Sequence, residues 1–419
     1  MTSRWTERLV GSHGWCRRLG RPLLALAAAG AVVASSAGSA AADTAPDAGP
    51  ALLDYTADEI ARIVRHGPWP MPLRRDPGNP VAGHAGAIAL GQRLFFDARL
   101  SVDGTLSCAG CHVPSLGWAD GRPRSIAREP LDRHAPSLLN AAQQRWYGWD
   151  GAADSLWHQA LRVMLEPREF GTTPQRLQAL VRGDRELSCR WKQVYGGVDA
   201  RDPERTMVQM ARAIAAYVGT LQTPRTSFDD FRDALARGDR AAAARYPLPA
   251  QRGARLFVDR ARCALCHVGP LFTNGEFADI GLPFFVRPGV VDPGRHGGIA
   301  ALQASRYNLL GRWAVLQHAD DAGPTRHLQV EHRHFGEFKV PALRHVAATA
   351  PYMHDGSLAT LDDVVRHYDR IDLERLHADG QPLLRPLYLS AGERGDLVAF
   401  LRTLGDGPVP APAAATRCR

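Results

Sequence analysis

Hydrophobic positions along the chain recur at the three- and four-residue spacing of helices far more often than they alternate as strands do. An apolar–polar pattern around Ile60 to Val64 predicts one helix, and a Pro-rich crossing runs from Pro68 to Pro80. A helical run ends in Gly91-Gln92-Arg93-Leu94-Phe95. The phrase is echoed 162 residues later as Gly253-Ala254-Arg255-Leu256-Phe257. Ala211 to Leu221 predicts another helix, and Arg237 to Ala244 an exposed linker or helix end. Leu361 to Tyr368 reads as a helix capped by Thr360,. Strand signals are sparse, and the tail from Pro408 is irregular. The echo marks an internal repeat of a helical unit, so the chain is expected to be mainly α.

Each copy of the phrase leads to a C-x-x-C-H motif: Cys108-Ala109-Gly110-Cys111-His112, then Cys263-Ala264-Leu265-Cys266-His267. Two thiols at this spacing can form thioether bonds to the vinyl groups of one haem, with the adjacent His beneath the iron. Zinc binding and a thioredoxin-like redox pair are the competing readings. Two complete copies in an exported chain weigh against both. The expectation is two cytochrome c-like domains, residues 43–235 and 236–419, each holding one covalent haem c.

Export is read from the first 42 residues. Arg17, Arg18 and Arg21 precede an apolar run from Leu23 to Val33, and Ala40-Ala41-Ala42 offers a cleavage site,. The run is short for a bilayer, and no later stretch reaches a membrane-spanning length; an uncleaved anchor is the alternative. A periplasmic protein of 377 residues is expected once 42 are removed from 419. The leader carries five Arg and one Glu, so the net charge falls from +8 to +4. Nothing in it resembles a basic track for nucleic acid. Cys16 leaves with the leader and four cysteines belong to the motifs. Cys189 and Cys418 remain, an even pair in an oxidising compartment, and sequence alone leaves open whether they meet,.

Other phrases carry candidate chemistry beside plainer roles. Trp146-Tyr147-Gly148-Trp149-Asp150-Gly151 is an aromatic cluster that also suits core packing. Glu166 and Glu169 flank Pro167 and could be solvated carboxylates. Gly281 to Gly298 reads as loop around a haem. His318, His327, His332 and His334 read as surface histidines before a metal cluster.

Together, the two motifs, Trp149-Asp150-Gly151, Phe338 to Arg344 and Ala350 to Gly356 resemble the bacterial di-haem cytochrome c peroxidases over residues 85–405. Within that superfamily the chain is most similar to the MauG branch and its MbnH-like enzymes. The resemblance implies that the haem on Cys108, Cys111 and His112 meets peroxide. Family members carry a capping His in the following loop. Here none occurs before His134, which replaces an Asn in Arg133-His134-Ala135-Pro136, so an open iron is implied. Glu169 matches the distal glutamate that moves protons during O–O cleavage. Val163 stands where relatives place a Pro.

For the haem on Cys263, Cys266 and His267, Tyr368 matches the position of the second axial ligand, which is Met in ordinary peroxidases; Met353 is too early and reads as packing. A phenolate is a hard anionic donor that favours higher iron oxidation states. Trp149 is implied as conduit between the haems. Calcium is also implied, with carbonyl ligands at Thr349 and Pro351 and with His134, an imidazole poorly suited to a hard cation, at its side-chain position. MauG's relay Trp is replaced by Ala261, leaving Trp313, Trp191 or a tyrosine for any surface route.

The leading expectation is a di-haem oxidoreductase that uses hydrogen peroxide to oxidise tryptophan in a periplasmic partner protein, one associated with copper in the MbnH-like case, through a high-valent state shared by both haems. One alternative is a peroxidase that reduces peroxide with electrons from a small c-type cytochrome or cupredoxin. The other is a non-enzymatic di-haem electron carrier.

Overall fold

The computed structural model describes residues 51–283, 285–316, 318–376, 383–409, 411 and 418. The expected leader, 1–42 with Cys16, lies outside them. Helices dominate: α1 (Ala57–Val64), α2 (Ala85–Phe95), α3 (Cys108–Cys111), α4 (Leu156–Leu165), α5 (Pro174–Gly183), α6 (Arg185–Tyr195) and α7 (Pro203–Val218) come first. They are followed by α8 (Ser227–Arg237), α9 (Arg240–Ala243), α10 (Leu248–Val258), α11 (Arg295–Ala304), α12 (Gly323–Arg326), α13 (Leu361–Asp369) and α14 (Ala391–Arg402). Four short strands pair antiparallel, β1 (Phe277–Ala278) with β4 (Phe338–Lys339) and β2 (Phe285–Arg287) with β3 (Val290–Val291).

The repeated glycines explain the architecture. A Cβ on Gly91 would lie 1.8 Å from Ala213 O and 3.0 Å from Tyr217 Cβ. A Cβ on Gly253 would lie 2.0 Å from Asp396 O and 2.7 Å from Phe400 Cβ. In both places the missing side chain lets two helices cross backbone to backbone, α2 over α7 and α10 over α14, with an aromatic one turn further on.

Each crossing sits in its own apolar core. The first gathers Leu90, Leu94, Phe95, Trp118, Trp157 and Trp191 from α2, α4, α6 and the first motif's loop, together with α7, which is buried on all sides from Thr206 to Val218 apart from Gln209. The second gathers Phe228, Phe257, Phe272, Val365 and Phe400. Helix α1 joins this second core through Ile63, although it precedes the whole first unit in sequence. Inside the second core Arg344 is paired with Asp229 at 2.8 Å, both fully shielded from solvent.

One passage differs from its sequence reading, and the cysteine pairing that the sequence left open is formed. Gly281 to Gly298 is not a plain loop: it holds the β2–β3 hairpin and opens α11, and Arg295 is the residue of that helix's first turn that lines the large cavity described below. Cys189 and Cys418 are joined as a disulfide, and Val409 packs against the first core, so the tail straps back onto α6.

Candidate active site

The two motifs are built alike. His112 Nδ1 lies 3.1 Å from Trp118 O, and His267 Nδ1 lies 2.9 Å from Phe272 O. Both accepting residues are fully buried and left-handed, with φ of 60° and 56°. That unusual backbone turns each carbonyl towards its ring. A ring that donates from Nδ1 presents Nε2 as a free lone pair, the form an iron requires. Burial favours the neutral imidazole in both cases.

None of the four motif thiols is in a disulfide, and burial pushes Cys108 and Cys263 up to about 12. A redox-active cysteine needs the opposite, a stabilised thiolate. Among the described residues no group of three or more His, Cys, Asp or Glu is arranged to hold a metal. Chemistry and spacing therefore fit covalent haem at both motifs and fit neither competing reading.

Around the second motif lies a cavity of about 1070 Å³ lined by Cys263, Cys266, His267, Tyr368, Trp149 and Met353, large enough for a cofactor. Tyr368 is carried by α13, whose N-terminus is fixed as expected, with Asp363 N donating to Thr360 Oγ1 at 3.1 Å. Burial raises the Tyr368 phenol well above its ordinary value, and the charges of Cys263 and Cys266 add to the rise. The tyrosine therefore shares one environment with both thiols.

Glu169 lies in the turn after α4. Glu169 N and Gly171 N both donate to Glu166 O, at 3.0 and 2.9 Å, and Phe170 beside it is buried in the first core. Val102 N, in the loop that leads to Cys108, donates to Phe170 O at 2.9 Å. The turn is thus tied to α4 on one side and to the first motif on the other. Burial pushes Glu169 up to about 7, and its charge acts on Cys108 and Cys111. Glu166, by contrast, is exposed. Val163 is an ordinary residue within α4.

Trp149 lines the cavity around the second motif and is hydrogen-bonded to His134, whose charge acts on His112. It is buried, its Nε1 donates to His134 O at 2.8 Å, and its carbonyl accepts from Lys339 N at 2.8 Å. Gly151 and Gly298 let Arg295 and α11 close over this phrase, and Arg295 Nη1 donates to Gly151 O at 2.9 Å. Burial alone would raise Asp150, but Arg133 at 2.7 Å holds its carboxyl below the usual range.

His134, Thr349 and Pro351 line the same cavity. His134 Nδ1 lies 2.7 Å from Arg122 O and is engaged as a donor there. A hard cation at this place would rest on carbonyls and water, so His134 does not fit as its ligand. Asp120 was missed by sequence reasoning. It is buried with Oδ2 unpartnered, and its charge acts on both Cys111 and His112. Nothing in its local sequence sets it apart from a turn aspartate.

The surface-route candidates divide. Trp191 is fully buried and donates to Gly197 O, and Trp313 packs half-buried on the first core.

The family model for di-haem cytochrome c peroxidase matches residues 85–237. The chain is 32% identical to the methylamine utilization protein MauG of Methylorubrum extorquens over 375 residues, 88% of this chain and 92% of that one. It is 32% identical to a cytochrome-c peroxidase, IdrP1, of a Pseudomonas species over 348 residues, 80% of this chain and 84% of the other. A crystal structure of a MauG-like protein associated with microbial copper homeostasis superposes with a TM-score of 0.61 at 26% identity, covering 83% of this chain and 97% of that one. The diheme peroxidase BthA of Burkholderia thailandensis shares the fold, with a TM-score of 0.60 at 24% identity over 81% of this chain and 88% of BthA. These likenesses set aside the plain electron carrier: the chain belongs to the di-haem cytochrome c peroxidase and MauG family and is a peroxide-dependent oxidoreductase.

Proposed function

We propose that the chain reduces hydrogen peroxide to water at the cradle of Cys108, Cys111 and His112, with electrons entering from a small c-type cytochrome or cupredoxin at the side of Cys263, Cys266 and His267. The observation that carries this reading is Glu169, a half-buried carboxyl pushed up to about 7 whose charge reaches both thiols of the first motif. A carboxyl half ionised near neutrality takes a proton from the inner peroxide oxygen and returns it to the outer one, which leaves as water. Bound haem supplies the redox-active iron and the path for electrons. The chain's own residues do the rest. His112 and His267 are held neutral with Nε2 free, Tyr368 offers a phenol oxygen on the second side, and Trp149, in the wall of the second motif's cavity and hydrogen-bonded to His134, carries charge between the two centres. One peroxide, two electrons and two protons give two waters.

Tyr368 supports a second reading, the MauG and MbnH-like one. A phenolate ligand disfavours storing an electron as Fe(II) and favours drawing electrons from a difficult donor such as tryptophan in a partner protein. Both readings share the peroxide half-reaction and differ in the donor. The peroxidase relatives and the family model back the carrier donor more broadly; Tyr368 and the absence of a His between Val113 and Arg133 favour the protein donor.

The same proposal includes a periplasmic location after loss of residues 1–42, and two haem-binding domains, 43–235 and 236–419. Among the described residues no helix is long and apolar enough to cross a membrane. Calcium, if bound, rests on Thr349 and Pro351 carbonyls and serves no step here. Turnover of peroxide with a reduced small c-type cytochrome tests the main reading. Two cytochromes oxidised per peroxide support it. No cytochrome oxidation, together with oxygen added to a partner tryptophan by mass spectrometry, transfers the case to the second.

A further inference from the structure

Electrons must cross the protein surface to reach the second motif, and only tryptophan and tyrosine side chains offer an easily oxidised stepping stone. Among the described residues every tryptophan is buried or half-buried, and eight of the nine tyrosines are as well. Tyr388 is the exception, 83% exposed.

Its backbone is equally unusual, in the left-handed region at φ 53°. A position with that conformation and that exposure suits Gly or Asn on steric grounds and a small polar residue on solvation grounds. Tyrosine satisfies neither, and so exposed a ring adds almost nothing to the core. The strained position is held from both sides by one residue. Leu387 N donates to Asp369 O at 3.2 Å, and Leu389 N donates to Asp369 Oδ1 at 2.6 Å. Arg394 Nη1 locks the arrangement, 3.2 Å from Asp369 Oδ2 and 2.9 Å from Leu389 O. Asp369 is the chain neighbour of Tyr368, and Leu387, the neighbour of Tyr388, lines the same cavity as Tyr368. The clamp therefore fixes the exposed tyrosine against the helix end that presents the cavity tyrosine. Leu373 and Leu383, 49% and 42% exposed, line that cavity too and form an apolar rim.

We propose that Tyr388 is the surface relay through which a redox protein delivers electrons to the second centre. The inference rests on the peroxide chemistry above. In each cycle the Tyr388 phenol gives one electron to the peroxide-oxidised centre and its proton to bulk water. The resulting phenoxyl then regains an electron from the docked donor and a proton from water. Two such cycles balance one peroxide.

The test mixes oxidised holoprotein with one equivalent of peroxide, without donor, and follows it by freeze-quench electron paramagnetic resonance. Tryptic mass spectrometry then locates any dityrosine. The expected result is a tyrosyl signal with cross-linking at Tyr388, both lost in Tyr388→Phe. Reduction of the peroxide-treated variant by a reduced c-type cytochrome should be slower by about tenfold or more. Tyr388→Gly, which relieves the strained backbone, should behave as Tyr388→Phe does. A wild-type radical located elsewhere, with Tyr388→Phe reduced at the wild-type rate, overturns the relay and leaves the peroxide reading standing. No reaction of the wild type with peroxide overturns both.

Discussion

Replacing Glu169 with Gln keeps the size and hydrogen-bonding reach of the side chain and removes its ability to accept a proton. Moving the carboxyl from 4.5 to about 7 corresponds to about 3 kcal/mol at roughly 1.4 kcal/mol per pH unit. This is a ceiling, because the side chain keeps some exposure. Since the folded value lies above the unfolded one, the stability attached to Glu169 is fully present below about 4.5 and is lost as pH rises through about 7,. Glu169→Gln should therefore melt higher than wild type at pH 8 and equally at pH 4. Kinetics should move the other way. If ionised Glu169 takes the peroxide proton, the wild-type rate rises about fiftyfold between pH 5 and 7 and then levels off. In Glu169→Gln it should fall by about a hundredfold or more at pH 7 and lose that pH dependence. Stopped-flow measurement of the Soret band after mixing oxidised holoprotein with excess peroxide, from pH 5 to 8, gives both numbers. A variant within about threefold of wild type and with the same profile would refute the assignment.

Three further outcomes follow from the geometry. Gly253→Ala and Gly91→Ala should each cost about 1–3 kcal/mol in thermal melts, because the added Cβ meets a backbone carbonyl at 2.0 or 1.8 Å,; Gly395→Ala, with open space around it, should be neutral or stabilising by up to about 1 kcal/mol. Equal melting of all three would show that the helices do not cross at these glycines. Cys189→Ser opens a loop closed across 229 residues, and urea unfolding should lose at most about 5 kcal/mol. Tyr368→Met should raise the potential of the second haem and shift its spectrum, within the roughly 0.8 V that axial ligands span. If neither moves, Tyr368 is not a ligand.

Much of the site was legible because it is written locally. A C-x-x-C-H motif carries its chemistry in five residues, the Thr360 cap in four, and Tyr368 follows by counting along one helix. The long-range half was not. Gly91 and Gly253 announce themselves as a repeat, but the helices they meet, α7 and α14, share no phrase. Trp118 and Phe272 offer their carbonyls to the two histidines through a left-handed backbone that their side chains disfavour. Helix α1 packs in the second core before the chain crosses over to build the first, a choice that local pattern cannot encode. Trp191 reads as a possible surface residue because its helix is rich in charge, yet it is fully buried. Gly281 to Gly298 reads as loop because its glycines and prolines mask a hairpin of short strands.

Every step proposed above requires the first haem to be open to peroxide while still oxidised, with the second supplying the path for electrons. Oxidised, donor-free holoprotein should be titrated with hydrogen peroxide while the Soret band is recorded. The spectrum should change without any prior reduction, saturate at one peroxide per chain, and return to its starting form on adding two equivalents of a one-electron donor. A spectrum that stays fixed until an electron has been supplied would contradict it.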